Sequence, residues 1–285
     1  VTQGTHQPPP ASGIDTTVPH SARIWNYWLG GKDNYEVDRA AGDAWAVNDP
    51  GVRVLARATR AFLKRAALYL AGEAGIRQFL DVGTGLPTAQ NTHEVAQAVA
   101  PDARVVYADN DPLVLAHARA LLTSTAEGAT RYLDADMNDA ATLVERAGEI
   151  LDFDSPVAVF FIGVLGHVPD LAAAQDVVGR LMERVPAGSY LALCDGTLPR
   201  DPQLRRGVEQ AQQEYVDSGA VPYLVRPEEQ VAEFFTGLEL VEPGFVSVPE
   251  WRPDLVLPGE QELPRIAGAV PGEPVNMFGG VARKP

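Results

Sequence analysis

Two glycines, Gly83 and Gly85, follow the apolar run Gln78-Phe79-Leu80-Asp81-Val82, and a carboxylate, Asp109, closes the next apolar run, Arg104 to Asp109. Glycine lets a chain turn sharply and bring its backbone against a ligand, and a carboxylate at the end of the following strand accepts from two neighbouring hydroxyls. These are the parts of a nucleoside site. The register Gly83-Thr84-Gly85-Leu86-Pro87-Thr88 lacks the third glycine of the dinucleotide fingerprint, which packs a helix so that its N-terminus receives a pyrophosphate. Gly85 and Asp109 stand 24 positions apart, near the roughly 20 expected of a ribose-binding acid.

The ribose half of the fingerprint is therefore present and the pyrophosphate half is weak. A nucleoside without phosphates fits better, and S-adenosylmethionine is the common one. A second chemical candidate is His167, in Ile162-Gly163-Val164-Leu165-Gly166-His167 after the apolar run Val157 to Ile162. Ligands of open α/β sheets sit beyond the carboxyl ends of the strands, so this histidine is either a base or acceptor-orienting group, or a structural hydrogen-bonder. His6, His20, His93 and His117 form no metal-ligand spacing with Cys194, and no metal is implied.

The elements that must position these residues follow from periodicity. Residues 1–13, with Pro8-Pro9-Pro10, read as a loose tail. Asp49-Pro50 reads as a helix start, with Gly72 and Gly75 marking the end of that helix. From Gln78 onward strands and helices alternate: strands at 78–82, 104–109, 131–134, 157–162 and 190–194, with helices between them, one entered through Asp111-Pro112. That rhythm specifies a doubly wound α/β fold with a mostly parallel sheet. Two helices over 204–215 and 227–235, a strand at 238–241, a proline-rich connection over 243–274 and a last strand at 276–282 complete the reading. The domain organisation expected is a tail at 1–13, an N-terminal helical lid over 14–75 and a ligand-binding domain over 76–285.

Composition bounds the partners. A net charge of −15 opposes attraction to phosphate backbones, so nucleic acid is not expected. No apolar run reaches the ~18 residues of a membrane span and no signal-peptide core is visible, so the expected compartment is the cytoplasm. Oligomeric state is left open. Cys194, the single cysteine, lies in a buried-strand pattern.

With Asp81-Val82-Gly83-Thr84-Gly85, Asp109 and the acid Asp136, the chain resembles class I S-adenosylmethionine-dependent methyltransferases. A second block, Ser21-Ala22-Arg23-Ile24-Trp25-Asn26-Tyr27-Trp28-Leu29-Gly30-Gly31-Lys32-Asp33-Asn34-Tyr35, with Arg60-Ala61-Phe62-Leu63, resembles a bacterial methyltransferase family of unknown physiological function. The resemblance implies a Rossmann-like seven-stranded sheet whose last strand is antiparallel, and S-adenosylmethionine as cofactor. It implies contacts from Asp81, Gly83, Thr84 and Gly85 to the methionine part, Asp109 and Asn110 at the ribose, Asp136 and Met137 at the adenine, and Ile162 at the end of the fourth strand. Asp81 either holds the cofactor's ammonium or caps amides of the turn. Pro87 stands where the class often has a glycine. The block from Trp25 to Tyr35 reads either as a lid, with Tyr27 and Tyr35 closing on the cofactor and Lys32 engaging a carboxylate, or as a brace against the sheet. Arg60 either pairs with the cofactor's carboxylate or is solvated.

Methyl transfer from a sulfonium needs alignment and exclusion of water more than a conspicuous catalytic constellation. The expected reaction is transfer to oxygen or nitrogen of a small molecule, with His167, Tyr27 and Lys32 as candidate catalytic groups. Two alternatives remain at this level: a non-catalytic S-adenosylmethionine-binding module and a nicotinamide-dependent oxidoreductase.

Overall fold

A computed structural model describes residues 15–88, 90–121, 124–257 and 275–285. The expected tail and most of the proline-rich connection, from 258 onward, lie outside these residues. Three helices come first: α1 (Ser21–Trp28), α2 (Glu36–Asn48) and α3 (Val52–Gly72). Then follow β1 (Gln78–Val82), α4 (Thr92–Val99), β2 (Arg104–Asp109), α5 (Pro112–Leu121), β3 (Ala129–Asp134), α6 (Ala140–Ala147), β4 (Ala158–Ile162), α7 (Leu171–Arg184) and β5 (Tyr190–Gly196). The C-terminal third contributes α8 (Pro202–Asp217), α9 (Glu228–Ala232), β6 (Glu239–Leu240), β7 (Val246–Ser247) and β8 (Met277–Arg283).

The strands form one sheet in the order β3-β2-β1-β4-β5-β8-β6, with β7 also pairing β8. β3, β2, β1, β4 and β5 are parallel neighbours, and β8 runs antiparallel to β5. The seven-stranded expectation is met by the main path, to which the two-residue β7 adds an eighth strand inside the proline-rich connection. Strand residues alternate between two cores. Leu80, Val106, Val159, Phe161 and Leu191 pack with Leu143 of α6 and Leu181 of α7. Phe79, Val105, Phe160 and Ala192 pack on the other face with Phe62, Leu63 and Leu70 of α3. Burial on both faces is why these strands read as continuous apolar runs.

α3 is thus a layer of the main core, and packing runs across the boundary drawn at residue 75. α1, α2 and α8 build a smaller cluster of their own from Ile24, Trp28, Trp45, Val208 and Tyr215. One local expectation is corrected: α3 starts at Val52 with Gly51 before it, and Asp49 instead closes α2, its amide donating to Trp45 O at 2.9 Å. The Asp111-Pro112 entry behaves as read, Asp111 Oδ1 accepting from the Leu113 amide at 2.8 Å.

The turn after β1 depends on Gly83. Its φ is +68°, and a Cβ there would lie 2.2 Å from Val164 Cγ2. Gly75 also has a positive φ, +71°, but nothing within 4 Å of a Cβ. Gly75→Ala should therefore cost about 1–2 kcal/mol from the left-handed conformation alone, and Gly83→Ala clearly more, because Val164 must also move. Urea denaturation of the two variants reads the difference; equal losses would show that the Val164 contact is relieved without cost.

Candidate functional site

The strand order reverses between β1 and β4, and a cavity of about 280 Å³ opens there beyond the carboxyl ends of β1, β2 and β4. Open α/β sheets bind ligands at such switch points. Its walls include Asp81 through Leu86, Asp109, Asn110, Asp136, Met137, Ile162 and Gly163, with Ala22, Trp25 and Asn26 of α1 on the opposite side.

Asp109 organises the loop. Its Oδ2 accepts from the Gly85 amide at 2.8 Å and its Oδ1 from the Asp111 amide at 3.0 Å. Burial pushes this carboxyl up, and the amides of Asp111 and Gly85 oppose the shift by stabilising the anion. Each carboxylate oxygen retains a second lone pair. Across the gap, a Cβ placed on Gly85 would meet nothing nearer than Ala22 Cβ at 4.0 Å, so the glycine leaves a cradle that a side chain would fill. At the other rim, exposed Asp136 has Oδ1 taken by the amide and Nδ2 of Asn138, at 2.9 and 2.8 Å, and Met137 is half-buried against the core. A paired acceptor, a bare glycine backbone and an apolar rim carrying a second acid fit an adenosyl group.

Beneath the loop lies a buried polar network. Thr92 Oγ1 donates to Asp81 Oδ2 at 2.6 Å, and burial lifts the Asp81 carboxyl to about 6 against the pull of Thr92 and Arg60. Arg60 lines the cavity, and its Nη2 donates to Gln90 O at 3.4 Å. Tyr107 accepts from the His93 amide at 2.8 Å and stacks on Tyr132, with ring centroids 5.4 Å apart. Tyr132 in turn donates to Gly85 O at 3.2 Å and receives the Thr84 hydroxyl at 2.8 Å. The loop that carries Gly83 and Gly85 is therefore held from below as well as from Asp109.

His167 lies in a single 3₁₀ turn, Leu165–His167, after β4 and lines the cavity. Its Nδ1 is 2.8 Å from Pro222 O, which only accepts, so Nδ1 carries the proton and Nε2 keeps its lone pair. Burial lowers the imidazole below the usual histidine range and keeps the ring neutral near pH 7.

The N-terminal block meets the cavity through other residues than those singled out. Tyr27 is turned to α2 and α3, its hydroxyl donating to Asp43 Oδ1 at 2.8 Å and accepting from Arg53 at 3.2 Å. Lys32 is exposed, and neither it nor Tyr35 is in the cavity wall. Tyr35 packs beside Ala22 and Leu86, under the Arg23 guanidinium. The reason is helical phase: Ala22, Trp25, Asn26 and Leu29 share the α1 face toward the cavity, and Tyr27 is on the opposite side. Within the N-terminal block the cavity contacts come from Trp25 and Asn26, and outside it Thr92 and Tyr132 join the network under the loop; sequence alone singles out none of these four. For Tyr132 a signal existed, since Tyr107 and Tyr132 each stand two residues before a strand-ending acid and are register partners.

The raised Asp81 carboxyl has a consequence for stability. Between the ordinary aspartate value of about 3.9 and about 6, the folded state binds the extra proton, so this residue's contribution falls as pH rises through that window. Asp81→Asn removes the effect. Its stability relative to the parent should rise by up to about 1.4 kcal/mol per pH unit from pH 4 to 6, measured by urea denaturation. A difference independent of pH would mean that Asp81 is solvated.

Comparison with known proteins matches this geometry. The family described as S-adenosyl methyltransferase matches residues 7–285. A DUF574 family protein from Streptomyces avermitilis MA-4680 is 46% identical, with 95% of this chain and 99% of that one covered and a TM-score of 0.85. A candidate methyltransferase from Thermobifida fusca YX is 37% identical, with 98% and 99% covered and a TM-score of 0.83. A search of the curated proteins returns no match. The cavity at the switch point, the strand order and a family match over nearly the whole length lead to one assignment: the chain belongs to the S-adenosyl methyltransferase family, enzymes whose cofactor is S-adenosylmethionine.

Proposed function

We propose that this methyltransferase acts on an oxygen or nitrogen of a small molecule, with His167 as the base that takes the acceptor's proton. The observation that carries the reading is the His167 Nδ1 contact to Pro222 O, which puts a proton on Nδ1 and, in the neutral ring that burial favours, leaves Nε2 as acceptor on a residue of the cavity wall. Family membership decides against the non-catalytic and nicotinamide-dependent readings.

When bound, the cofactor supplies a methyl group on a positively charged sulfur, already activated for in-line displacement. Asp109 would hold the ribose hydroxyls, Gly83 and Gly85 would bring their backbone against the methionine part, and Asp136 with Met137 would border the adenine. Arg60, a cation on the same wall as Asp81, suits the cofactor's carboxylate, with Asp81 on the ammonium side. α1 covers the site and excludes water through Ala22, Trp25 and Leu29. Proximity of this kind is worth roughly 7–11 kcal/mol, so one base suffices beside it. The net charge of −15 argues for a small acceptor over a nucleic acid.

Two measurements test this. Asp109→Ala should weaken S-adenosylhomocysteine binding at least tenfold by calorimetry, the order expected for a lost charge-assisted acceptor, about 1.5–3 kcal/mol. His167→Ala should leave that affinity unchanged and lower kcat by about 10²–10⁴-fold in a labelled-methyl assay against hydroxyl- and amine-bearing small molecules. Because burial depresses the His167 imidazole, the parent's kcat should fall only below about pH 6.5, as the base becomes protonated. Label appearing on carbon, on nucleic acid or on protein, or an undiminished His167→Ala, would overturn the reading.

A further inference from the structure

Beside the cofactor cavity lies a second compartment of about 40 Å³, and Ser21 and Trp25 belong to the walls of both. Its volume admits a group of a few non-hydrogen atoms, since roughly 10–15 Å³ of such space holds one water. Trp25, Trp28, Trp45, Tyr215 and Tyr223 line it together with Asp49. The rings meet edge to face: Trp25 and Trp28 at 5.7 Å, Trp28 and Trp45 at 6.1 Å, Trp45 and Tyr215 at 5.5 Å between centroids. They come from α1, α2 and α8 and from the segment before Val225, so the compartment exists only when the N-terminal helices are docked on the C-terminal third.

Asp49 is the unusual member. Burial pushes its carboxyl up, with only the Trp45 indole and the Gly51 amide acting the other way. Among the described residues no arginine, lysine or histidine pairs with it. Aromatic faces carry negative charge density and attract cations, most strongly where water is excluded. A carboxylate beside them offers a charge-assisted acceptor. A neutral apolar group would leave Asp49 with only the Trp45 indole and the Gly51 amide against its desolvation, and an anion would be repelled by Asp49 and by a chain of net charge −15.

We propose that this compartment binds the ammonium end of a small amine and so anchors the methyl acceptor, whose reacting atom extends past Trp25 into the cofactor cavity. The inference rests on the small-molecule acceptor reading above. It makes Asp49 a specificity-determining residue and the acceptor a compound with a basic nitrogen at one end.

Three of the four tryptophans line the compartment, so indole fluorescence reports its occupancy. The full chain, with and without S-adenosylhomocysteine, is titrated with n-butylammonium, n-butanol and butanoate. Saturable quenching is expected with the ammonium ion, at least tenfold weaker with the alcohol and absent with the carboxylate. Asp49→Asn should weaken the ammonium at least tenfold while S-adenosylhomocysteine affinity stays within twofold. Alcohol binding as tight as the amine, or an undiminished Asp49→Asn, would overturn the proposal. Should the variant not fold, the three-ligand comparison on the parent decides by itself. If the amine binds while S-adenosylhomocysteine does not, the amine site stands and the methyl-acceptor reading falls; if S-adenosylhomocysteine binds and the amine does not, the proposal alone falls.

Discussion

The site depends on one carboxylate that ties two loops together. Asp109 accepts the Gly85 amide of the loop after β1 and the Asp111 amide at the entry to α5. Burial pushes this carboxyl toward its neutral form, and the two amides oppose that shift and favour the acceptor. The same contacts fix the distance between the glycine backbone and the carboxylate, the two surfaces that a nucleoside must touch together.

α1, across the cavity, is fastened beside the same point. His20, just before α1, pairs with Asp111 Oδ2 at 3.0 Å. Buried Arg23 pairs with Asp38 at 3.0 Å, and Asp38 also accepts the amides of His20 at 2.9 Å and Tyr35 at 2.8 Å. A buried ion pair such as Arg23–Asp38 is a poor argument for stability, because desolvation offsets the attraction. The consequence of these contacts is placement: α1 is held with Ala22 opposite Gly85 and Trp25 opposite Gly163. Methyl transfer asks little else of a protein than such placement and a dry site.

Much of this was legible in the chain. The alternation of apolar runs and helices gave β1, β2 and β4 nearly to the residue, because strands buried on both faces leave an unbroken apolar signature. Gly83, Gly85 and Asp109 were legible because each is forced by backbone geometry or by the end of a strand. β7 was not, since a two-residue strand carries no periodicity. The start of α3 was misread by two residues: Asp-Pro commonly opens a helix, but here Asp49 finishes α2 and the intervening turn takes Pro50 and Gly51. Chemistry alone points to Tyr27 and Lys32, yet the side of α1 that faces the cavity is set by packing, which turns Tyr27 toward Asp43 and Arg53, and Lys32 lies beyond the helix, exposed. The aromatic compartment is likewise invisible in sequence, because Trp45 and Tyr215 are brought together only by the fold.

A crystal structure of the chain with S-adenosylhomocysteine decides whether the Asp109 carboxylate and the glycine loop grip a nucleoside between them. The ribose hydroxyls should lie within hydrogen-bond distance of Asp109, with the loop from Gly83 to Gly85 against the homocysteine. A ligand bound elsewhere, or one whose ribose turns away from Asp109 into solvent, would contradict the account.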